Sequence, residues 1–514
     1  MIVVCCRRPL LESQIKQEVQ LKQRQRSAMT THSLIIGAGI GGLTTAALLL
    51  QAGQRVTVLE AHVYPGGCAG TFFHKGFRFD AGATLAGGFA PGGPHARLAD
   101  MLDLTWPVSP VDPAWVVHLP DGRTITQWAD AARWQAERRA IFPQAESFWR
   151  TQEKLAAVSW DVSSRPFPWP PQSPANWLTL ARALRPQTLR AFPYLWRTIG
   201  QIAPIDDPLF RAFLDAQLLI SAQTTSQDAH ALYGSAALDL PRRGVNHVRG
   251  GMGALAETLV VWIRQHGGDV HFRQQVERIV VEKGRATAVT TRKGHHFTAD
   301  HIIANVTPWG LSKLLGEAAP HALQQETQQR PPTWGAFTLY LGLDERQLPP
   351  DMATHHQVIV DHTRPLGEGN SVFISLSEPG DVARAPAGMR AATLSTHTAV
   401  TPWQHLRHAE SPAAYCERRE EYMNRLLAAA ERAIPGIRRA VRLSLPGTPV
   451  TFAFYTRRPL GMVGGFPQTS LFQARGPATG IPNLWLVGDS IFPGQSTAGV
   501  TLGGMRVANT ILRY

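Results

Sequence analysis

The first regular pattern in the chain is a short apolar strand, a glycine-rich turn and an apolar helix. Residues 33–36 predict a buried strand, residues 37–42 form the turn, and the apolar positions continue to about residue 51. Gly53 marks the end of this helix, and residues 55–59 have the pattern of a second strand. The order of strand, helix and strand predicts one βαβ unit, the clearest structure in the chain.

Later segments repeat this alternation of strands and helices. We predict a helix over residues 254–265, strands over 269–272, 277–281, 286–291 and 301–304, and a return to strand, glycine loop and helix over 484–514. Between them, residues 337–343 and 372–376 predict strands and residues 413–433 a helix. Residues 207–223 predict a helix that is apolar around most of its circumference, which suits either core packing or the wall of an apolar pocket.

The first turn has the spacing of a dinucleotide-binding motif. It fits the pattern G-x-G-x-x-G directly after a strand and at the start of a helix, where backbone N–H groups and the helix dipole favour a pyrophosphate. An acidic residue closes the next strand, where a carboxylate can accept hydrogen bonds from ribose hydroxyls. The residues concerned are Gly37, Gly39, Ile40, Gly41, Gly42 and Glu60.

Two further glycine-rich segments carry additional motifs. One is Pro-Gly-Gly-Cys-Ala-Gly at residues 65–70, followed by Phe-Asp-Ala-Gly-Ala-Thr at residues 79–84. The other is Leu-Val-Gly-Asp-Ser at residues 486–490, followed by a glycine-containing helix start near residue 500. Two more segments belong to these motifs: Arg-Gly-Gly-Met-Gly at residues 249–253 and Gln-Val-Glu at residues 275–277.

Together these motifs resemble the flavin-dependent amine oxidase and phytoene desaturase superfamily. The sequences of residues 66–69, 79–84 and 85–95 resemble those of carotenoid desaturases and carotenoid isomerases. They are most similar to those of the cyanobacterial carotenoid 3′,4′-desaturase group. The resemblance implies an α/β fold of the amine oxidase and phytoene desaturase type. In this fold a Rossmann-type FAD-binding domain with a three-layer ββα arrangement is interleaved with a mixed α+β substrate domain. It implies FAD as the cofactor.

The resemblance also implies roles for single residues. The second glycine pair passes close to the cofactor, the aspartate of the last motif binds the ribityl chain, and the helix entered near Val500 directs its N-terminal amides at the flavin pyrimidine. The backbone at Val276 meets the adenine, although an ordinary core position explains Val276 as well. These residues are Gly66, Gly67, Cys68, Val276, Gly488, Asp489, Gly499 and Val500.

Two departures from the superfamily pattern affect the expected chemistry. Amine oxidases characteristically have an arginine after the second glycine pair, where this chain has Cys68. A second G-x-G-x-x-G is absent from the sequence, so we expect no nicotinamide site and an electron acceptor that is a quinone or oxygen.

The composition of the chain limits which binding partners are expected. The net charge of +13 suits nucleic acid or an anionic membrane surface, but no nucleic-acid-binding signature accompanies it, so we expect no nucleic acid partner. The four cysteines have no metal-ligand spacing and no disulfide framework, and no metal is expected. No apolar run is long enough to cross a membrane. We expect a protein on the cytoplasmic side, not secreted, with peripheral or monotopic membrane contact.

Residues 142–204 interleave tryptophans and arginines with prolines, which is typical of a membrane-interface segment, although a helical cap over the pocket explains it about as well. The residues are Trp149, Trp160, Trp169, Trp177 and Trp196 with Arg150, Arg165, Arg182, Arg185, Arg190 and Arg197.

Residues 1–28 carry six basic and two acidic side chains. We interpret them as a leader that precedes a natural start at Met29, or as a basic surface helix.

We therefore divide the chain into six segments. Residues 1–29 form the basic leader, 30–95, 241–310 and 473–514 the three parts of the FAD-binding domain, and 96–240 and 311–472 the two parts of the substrate domain, the first with the membrane contact.

The resemblance implies a hydrophobic polyene as substrate and desaturation of a carotenoid C–C single bond, such as the 3′,4′ bond. A carotenoid cis–trans isomerase and a non-catalytic prenyl-binding escort are the alternatives. Because the flavin supplies the redox chemistry, no strong acid or base is required, and Asp228, Asp239 and His247 are only weak catalytic candidates. Each of the three is otherwise a structural or surface residue.

Overall fold

The βαβ unit opens the described part of the chain. The computed structural model describes residues 30–165, 167, 169–171, 174–203, 206–408 and 412–513, so the predicted leader lies outside the described residues. Strand β1 (His32–Ile36), helix α1 (Ile40–Gln51) and strand β2 (Arg55–Leu59) follow one another as predicted, and the two strands pair in parallel. Every residue of β1 is buried because neighbouring elements cover both faces of this strand.

The strands that follow are β3 (Thr71–His74), β4 (Phe77–Asp80), β5 (Ala86–Gly87), β6 (Val108–Val111), β7 (Trp115–His118), β8 (Thr124–Gln127), β9 (Val245–Val248), β10 (Asp269–His271), β11 (Val276–Glu282), β12 (Arg285–Thr291), β13 (His296–Thr298), β14 (His301–Ala304), β15 (Trp334–Asp344), β16 (His355–Ile359), β17 (Ser371–Leu376), β18 (Met389–Ala399), β19 (Val441–Gly447) and β20 (Leu484–Leu486).

The helices that follow are α2 (Pro94–Leu102), α3 (Ala131–Ile141), α4 (Glu146–Ser163), α5 (Pro174–Ala183), α6 (Ile199–Ile202), α7 (Pro208–Ala222), α8 (Ala231–Leu238), α9 (Gly253–Gln265), α10 (Pro308–Leu315), α11 (His321–Gln329), α12 (Val400–His408), α13 (Pro412–Ala433), α14 (Ile437–Ala440), α15 (Pro449–Thr456) and α16 (Thr497–Ile511). Short 3₁₀ turns include Gly67–Ala69 and Pro186–Tyr194.

A parallel sheet of five strands forms the centre of the nucleotide-binding half. Its order is β10, β2, β1, β14, β20, so it joins strands from three distant parts of the sequence. Helices α1, α9 and α16 pack together against this sheet, and the antiparallel sheet of β11, β12 and β13 packs against β14. This confirms the predicted three-layer Rossmann-type architecture.

A mixed sheet of seven strands forms the second half, in the order β19, β15, β18, β17, β16, β7, β8. Only β16 and β7 pair in parallel within it. Helix α13 covers one face, where Phe337, Trp403 and Tyr422 are buried together. The predicted strands and helix of this region are present, and the α+β character of the second half is confirmed.

The core of the nucleotide-binding half extends slightly beyond the predicted segments. It includes Leu98 of α2 and Leu311 of α10, which lie just outside the ranges predicted for the FAD-binding domain. The six-segment division remains a prediction at this level of detail.

Two helix boundaries differ from the sequence prediction because capping residues occupy the ends. Asp207 caps α7 through its side chain, which accepts from the backbone N–H groups of Leu209 and Phe210, and Gln223 ends the helix in the left-handed region. The last helix begins at Thr497, not near Val500, because Ser496 is its N-cap.

The tryptophan-rich segment is not uniform. Trp149 is 1% exposed and packs against Phe210 and Phe213, so the expectation that it belongs to a membrane interface is wrong. Trp177 and Trp196 are instead 54% and 74% exposed. Helix α4 therefore contributes core, whereas α5 and the following 3₁₀ turn form a surface. No helix among the described residues is long and apolar enough to cross a membrane.

Asn483 provides a test of how the sheets are joined. Its buried side chain accepts from the Ala286 N–H at 2.9 Å and donates to the carbonyls of Ala286 and Asp300 at 2.7 Å each. Replacing it with alanine leaves these buried groups without partners, so we expect Asn483→Ala to lower the free energy of unfolding by about 2–4 kcal/mol in a denaturant titration. Asn424→Ala, at an exposed position of α13, is the control and should change it by less than about 0.5 kcal/mol. Equal effects of the two changes would contradict this account.

Candidate functional site

The first glycine turn presents backbone amides at the start of α1. The N-cap is Gly39, which has no side chain to cap the helix, and the first-turn N–H groups of Ile40, Gly41 and Gly42 have no acceptor within the helix. Gly37 joins the turn to the neighbouring strand, because its N–H donates to the Leu59 carbonyl at 2.8 Å. This geometry fits a pyrophosphate, which needs several convergent N–H donors.

Glu60 holds the turn from the end of β2. One carboxylate oxygen accepts from the N–H of Ala38 and the other from the N–H of His62, each at 2.7 Å. Burial raises the pKa of Glu60, and these two hydrogen bonds partly oppose the rise. Each oxygen keeps a free lone pair, so the carboxylate can also accept from ribose hydroxyls.

Val276 lies close to Glu60 along the backbone. The N–H of Gln274 donates to the Glu60 carbonyl at 2.8 Å, and Val276 begins β11 two residues later. The side chain of Val276 is 9% exposed and belongs to the core of the nucleotide-binding half. A contact between its backbone and the adenine remains a proposal.

The second glycine segment lies directly against the first. The N–H of Gly66 donates to the Ala38 carbonyl at 2.9 Å, and Gly66 forms a parallel bridge with Gly39. Gly66 has a φ of 113°, which is accessible to glycine but not to larger residues. Gly67 and Cys68 continue into the short 3₁₀ turn.

The third segment reaches the same edge of the parallel sheet. Gly488 and Asp489 follow β20, and Asn305, which follows β14, lies between this segment and the first turn. A Cβ added to Gly39 would lie 2.4 Å from the Asn305 amide nitrogen, and one added to Gly488 would lie 3.0 Å from its amide oxygen. Asn305 could not be predicted as a site residue, because a single asparagine after a strand carries no distinguishing pattern.

The start of α16 differs from the sequence interpretation in detail. The Gly499 N–H donates to the Ser496 hydroxyl at 3.0 Å and the Val500 N–H to the Ser496 carbonyl at 3.0 Å. Those two amides are therefore occupied within the helix start. The first-turn amides of Thr497 and Ala498 have no acceptor in the helix and are better placed to donate to a cofactor.

Asp489 is held by an arginine that the sequence analysis missed. Arg458 donates from Nη1 to Asp489 Oδ2 at 2.8 Å, and its positive charge also acts on the Cys68 thiol. A positive charge therefore reaches Cys68 from a distant part of the chain, although the arginine of the superfamily pattern is missing at that position. Burial raises the pKa of the Cys68 thiol, an effect that Arg458 opposes.

The three weak catalytic candidates do not come together. Asp228 is exposed in a turn, and Asp239 forms ion pairs with Arg242 at 3.0 Å and Arg243 at 2.7 Å. His247 bonds to Asp381, with 3.1 Å between Nε2 and Oδ2. These contacts give Asp239 and His247 structural roles, and Asp228 is a surface residue.

A different polar group lies beside the third segment. The side-chain nitrogens of Gln223 and His397 are 3.5 Å apart, and the rings of His397 and Trp334 meet edge to face with centroids 6.0 Å apart. A Cβ added to Gly464 would lie 2.7 Å from the Gln223 amide nitrogen, and one added to Gly465 would lie 2.0 Å from the Asp489 carbonyl oxygen. The glycine pair therefore separates this group from Asp489 by a single layer of backbone. Burial lowers the pKa of His397 to about 4.

The described residues contain no group of three or more histidine, cysteine, aspartate or glutamate side chains that could hold a metal ion. The arrangement instead fits FAD. Amide-lined turns without side chains lie next to a buried carboxylate at the adenosine end and next to Asp489 at the other end.

Comparison with known proteins agrees with this geometry. The family model of flavin containing amine oxidoreductases matches residues 40–512. The chain belongs to this family. FAD is its cofactor and it is an FAD-dependent oxidoreductase, which confirms both predictions and leaves the non-catalytic escort without support.

The relatives carry names from carotenoid metabolism. A chloroplastic prolycopene isomerase of Arabidopsis thaliana is 28% identical over 97% of this chain and 85% of its own length. A neurosporene-forming phytoene desaturase of Cereibacter sphaeroides is 26% identical over 91% of this chain and 92% of its own length. The resemblance to carotenoid desaturases and isomerases is thereby confirmed, whereas the narrower likeness to the cyanobacterial 3′,4′-desaturases remains a prediction.

Solved structures show the same fold. An oxidoreductase of Methanosarcina mazei superposes with a TM-score of 0.64 at 19% identity, covering 93% of this chain and all of that chain. A putrescine oxidase variant superposes with a TM-score of 0.63 at 15% identity, covering 94% of this chain and 99% of that chain. The amine oxidase-like FAD-binding fold is therefore confirmed.

The first turn can be tested by adding a side chain to it. We expect Gly39→Val to remove bound FAD, because a Cβ there would lie 2.4 Å from the Asn305 amide nitrogen and would displace the turn that carries the pyrophosphate-binding amides. The measurement is the flavin absorbance per mole of purified protein, with far-UV circular dichroism to verify folding. Gly310→Ala, where a Cβ meets no atom closer than 3.4 Å, should keep its flavin. A folded Gly39→Val protein with stoichiometric FAD would show that the motif is misplaced.

Proposed function

We propose that the chain is an FAD-dependent carotenoid desaturase, which removes two hydrogens from a C–C single bond of an acyclic or monocyclic carotenoid. The single observation that carries this proposal is the full-length similarity to enzymes named for carotenoid substrates. The 3′,4′ bond is the specific bond we propose.

The cavity lies between α7 and the loop that follows β16. It has a volume of about 430 Å³, and its lining includes Ala212, Leu219, Leu366 and the ring of Trp334. Arg211 and Arg364 lie at its exposed rim. Trp334 of this lining contacts His397, and His397 contacts Gln223 beside the glycine pair. An apolar polyene end fits such a space.

FAD, when bound, supplies the acceptor for the hydride that leaves the substrate. The protein has to exclude water, orient one C–C bond and take up the accompanying proton. We propose the His397 imidazole as the proton acceptor, because burial lowers its pKa to about 4 and keeps it neutral near pH 7. Gln223 and Trp334 fix the orientation of the imidazole ring. A weak base is sufficient, since the positive charge left by hydride removal is delocalised along a polyene.

Carotenoid cis–trans isomerisation is the second candidate. The names of several similar relatives favour it: prolycopene isomerases of Arabidopsis thaliana and Daucus carota are each 28% identical to this chain. Isomerisation leaves the mass of the carotenoid unchanged, whereas desaturation lowers it by two hydrogens. The electron acceptor of the desaturase would be a quinone or oxygen.

Expression in cells that accumulate an acyclic or monocyclic carotenoid separates these reactions. We expect the protein to yield a product with two hydrogens fewer and a longer-wavelength absorption spectrum, as measured by chromatography with mass detection. Cells that express the Gly39→Val protein serve as the control without flavin. An unchanged mass with a new isomer pattern would replace the desaturase proposal by the isomerase.

We also propose that the protein contacts the cytoplasmic surface of an anionic membrane. The surface consists of residues 174–197, named here the Trp177 surface, with Phe472 beside it. Residues 174–197 contain four exposed arginines and no acidic residue, and they expose Trp177, Leu178, Leu184, Leu189, Phe192 and Trp196. Tryptophan rings favour the headgroup region, and arginines pair with anionic lipids.

A row of aromatic rings leads from the Trp177 surface to the segment that carries Asp489. Trp196 stacks on Phe472 with centroids 6.1 Å apart, and the Phe472 ring lies 6.4 Å from Trp169, which lies 6.0 Å from Phe492. Phe492 follows Asp489 by three residues. A polyene that leaves the bilayer at this surface would therefore enter the protein close to the cofactor.

Loss of the two exposed rings should weaken membrane binding. We expect the double change Trp177→Ser with Trp196→Ser to lower partitioning onto vesicles of phosphatidylcholine and phosphatidylglycerol by about tenfold, because two interfacial aromatic anchors are removed. Co-sedimentation with the vesicles is the measurement. Phe73→Ser, at a ring of β3 that is 71% exposed, is the control and should leave partitioning unchanged. Equal partitioning of all three proteins would rule out this surface.

A further inference from the structure

Arg458 occupies a junction between two of the cofactor-binding segments. Its side chain is 15% exposed, and it follows α15 in the loop that leads to Gly464. Besides the bond to Asp489, Nε donates to the Met462 carbonyl at 2.7 Å and Nη2 to the Gly464 carbonyl at 2.5 Å. All three guanidinium nitrogens therefore have oxygen acceptors. This number of bonds fixes the plane of the group.

The charge of Arg458 is balanced within the site. Burial alone would lower the pKa of Arg458. The Asp489 carboxylate and the Cys68 side chain raise this pKa by more than burial lowers it, so the net shift is upward and the guanidinium stays protonated. Removing water from a guanidinium is costly unless a carboxylate is close. Asp489 is the carboxylate that bonds to Arg458, and its side chain is 19% exposed. The position of the Asp489 carboxylate is thus tied to that of Arg458.

The backbone around Arg458 also restricts Asp489. Gly465 lies so close to the Asp489 carbonyl that a Cβ there would be 2.0 Å away, and the Gly465 N–H donates to the Gln495 side chain at 3.1 Å. On the other side, the charge of the guanidinium acts on the Cys68 thiol, and the Cys68 carbonyl accepts from the Ala83 N–H at 3.0 Å. Arg458 therefore places one positive charge near both the Cys68 turn and the segment that carries Asp489.

We propose that Arg458 is a cofactor-positioning residue. It orients the Asp489 carboxylate, so that FAD meets this carboxylate already in its binding position. The ordering cost is then met during folding and does not reduce the affinity for FAD. This inference rests on the proposed contact between Asp489 and FAD, and it is independent of the carotenoid substrate.

Substitution of neighbouring arginines tests this role. The experiment titrates FAD into flavin-depleted protein and follows the flavin fluorescence. We expect Arg458→Met to weaken FAD binding by at least about tenfold, because one partner of a buried charge pair is removed, and Arg458→Lys to weaken it less, because the charge is kept without the planar set of donors. Arg457→Met, at the exposed neighbouring position, should change the affinity less than about twofold.

Combination with Asp489→Asn separates a positioning role from a general loss of stability. If Arg458 acts through Asp489, the effects of Arg458→Met and Asp489→Asn on FAD affinity do not multiply, and the double variant binds FAD about as weakly as Asp489→Asn alone. Effects that multiply, or an Arg458→Met protein with unchanged FAD affinity, would overturn the proposal.

Two further outcomes keep the test decisive. If Arg458→Met does not fold, as judged by circular dichroism, the comparison rests on Arg458→Lys against Arg457→Lys, and equal FAD affinity of these two proteins would overturn the proposal. If Asp489→Asn binds FAD as tightly as the unchanged protein, the contact between Asp489 and FAD is wrong and the role of Arg458 is refuted with it. If the unchanged protein converts no carotenoid while Arg458→Met binds FAD more weakly, only the proposed substrate is refuted.

Discussion

Three stretches of chain approach one another at the carboxyl end of the parallel sheet so closely that side chains cannot fit between them. A Cβ on Gly41 would lie 3.4 Å from the Gly488 Cα atom, and one on Gly504 would lie 2.6 Å from the Gly41 carbonyl. Asn305 fills the remaining space between the first turn and Gly488. This contact lets α1 and α16 begin at one place, and it concentrates the free amides of both helix starts around a single cofactor.

The parts of the site that depend on local sequence were predictable. The spacing of glycines between a strand and a helix, with Glu60 at the next strand end, is set by the geometry of one βαβ unit, and the structure has that unit. Arg458 and His397 were not predictable, because each reaches the site through folding of distant segments and neither belongs to a local motif. Ser496 explains why the predicted start of the last helix, near Val500, was wrong. Its side chain caps the helix three residues before Gly499, so the helix begins at Thr497.

The tryptophan-rich region shows a related limit of composition. Trp149 and Trp177 occur in the same proline- and arginine-rich context, yet one is core and the other is surface. The difference comes from α7, whose Phe210 and Phe213 cover Trp149. Composition indicates that a segment is amphipathic, but the neighbouring elements decide which of its rings are covered.

The order of strands in the parallel sheet constrains how the protein is made. β1 lies between β2 and β14, and the edge strand β20 comes from the last segment of the chain. During synthesis the first half of the flavin site emerges early, but β14 has no outer neighbour until β20 has left the ribosome. Until then, β14 is an exposed edge strand of the sheet, and an exposed edge strand can pair with strands of other chains. Correct assembly depends on the carboxyl-terminal segment closing that edge before a second molecule does.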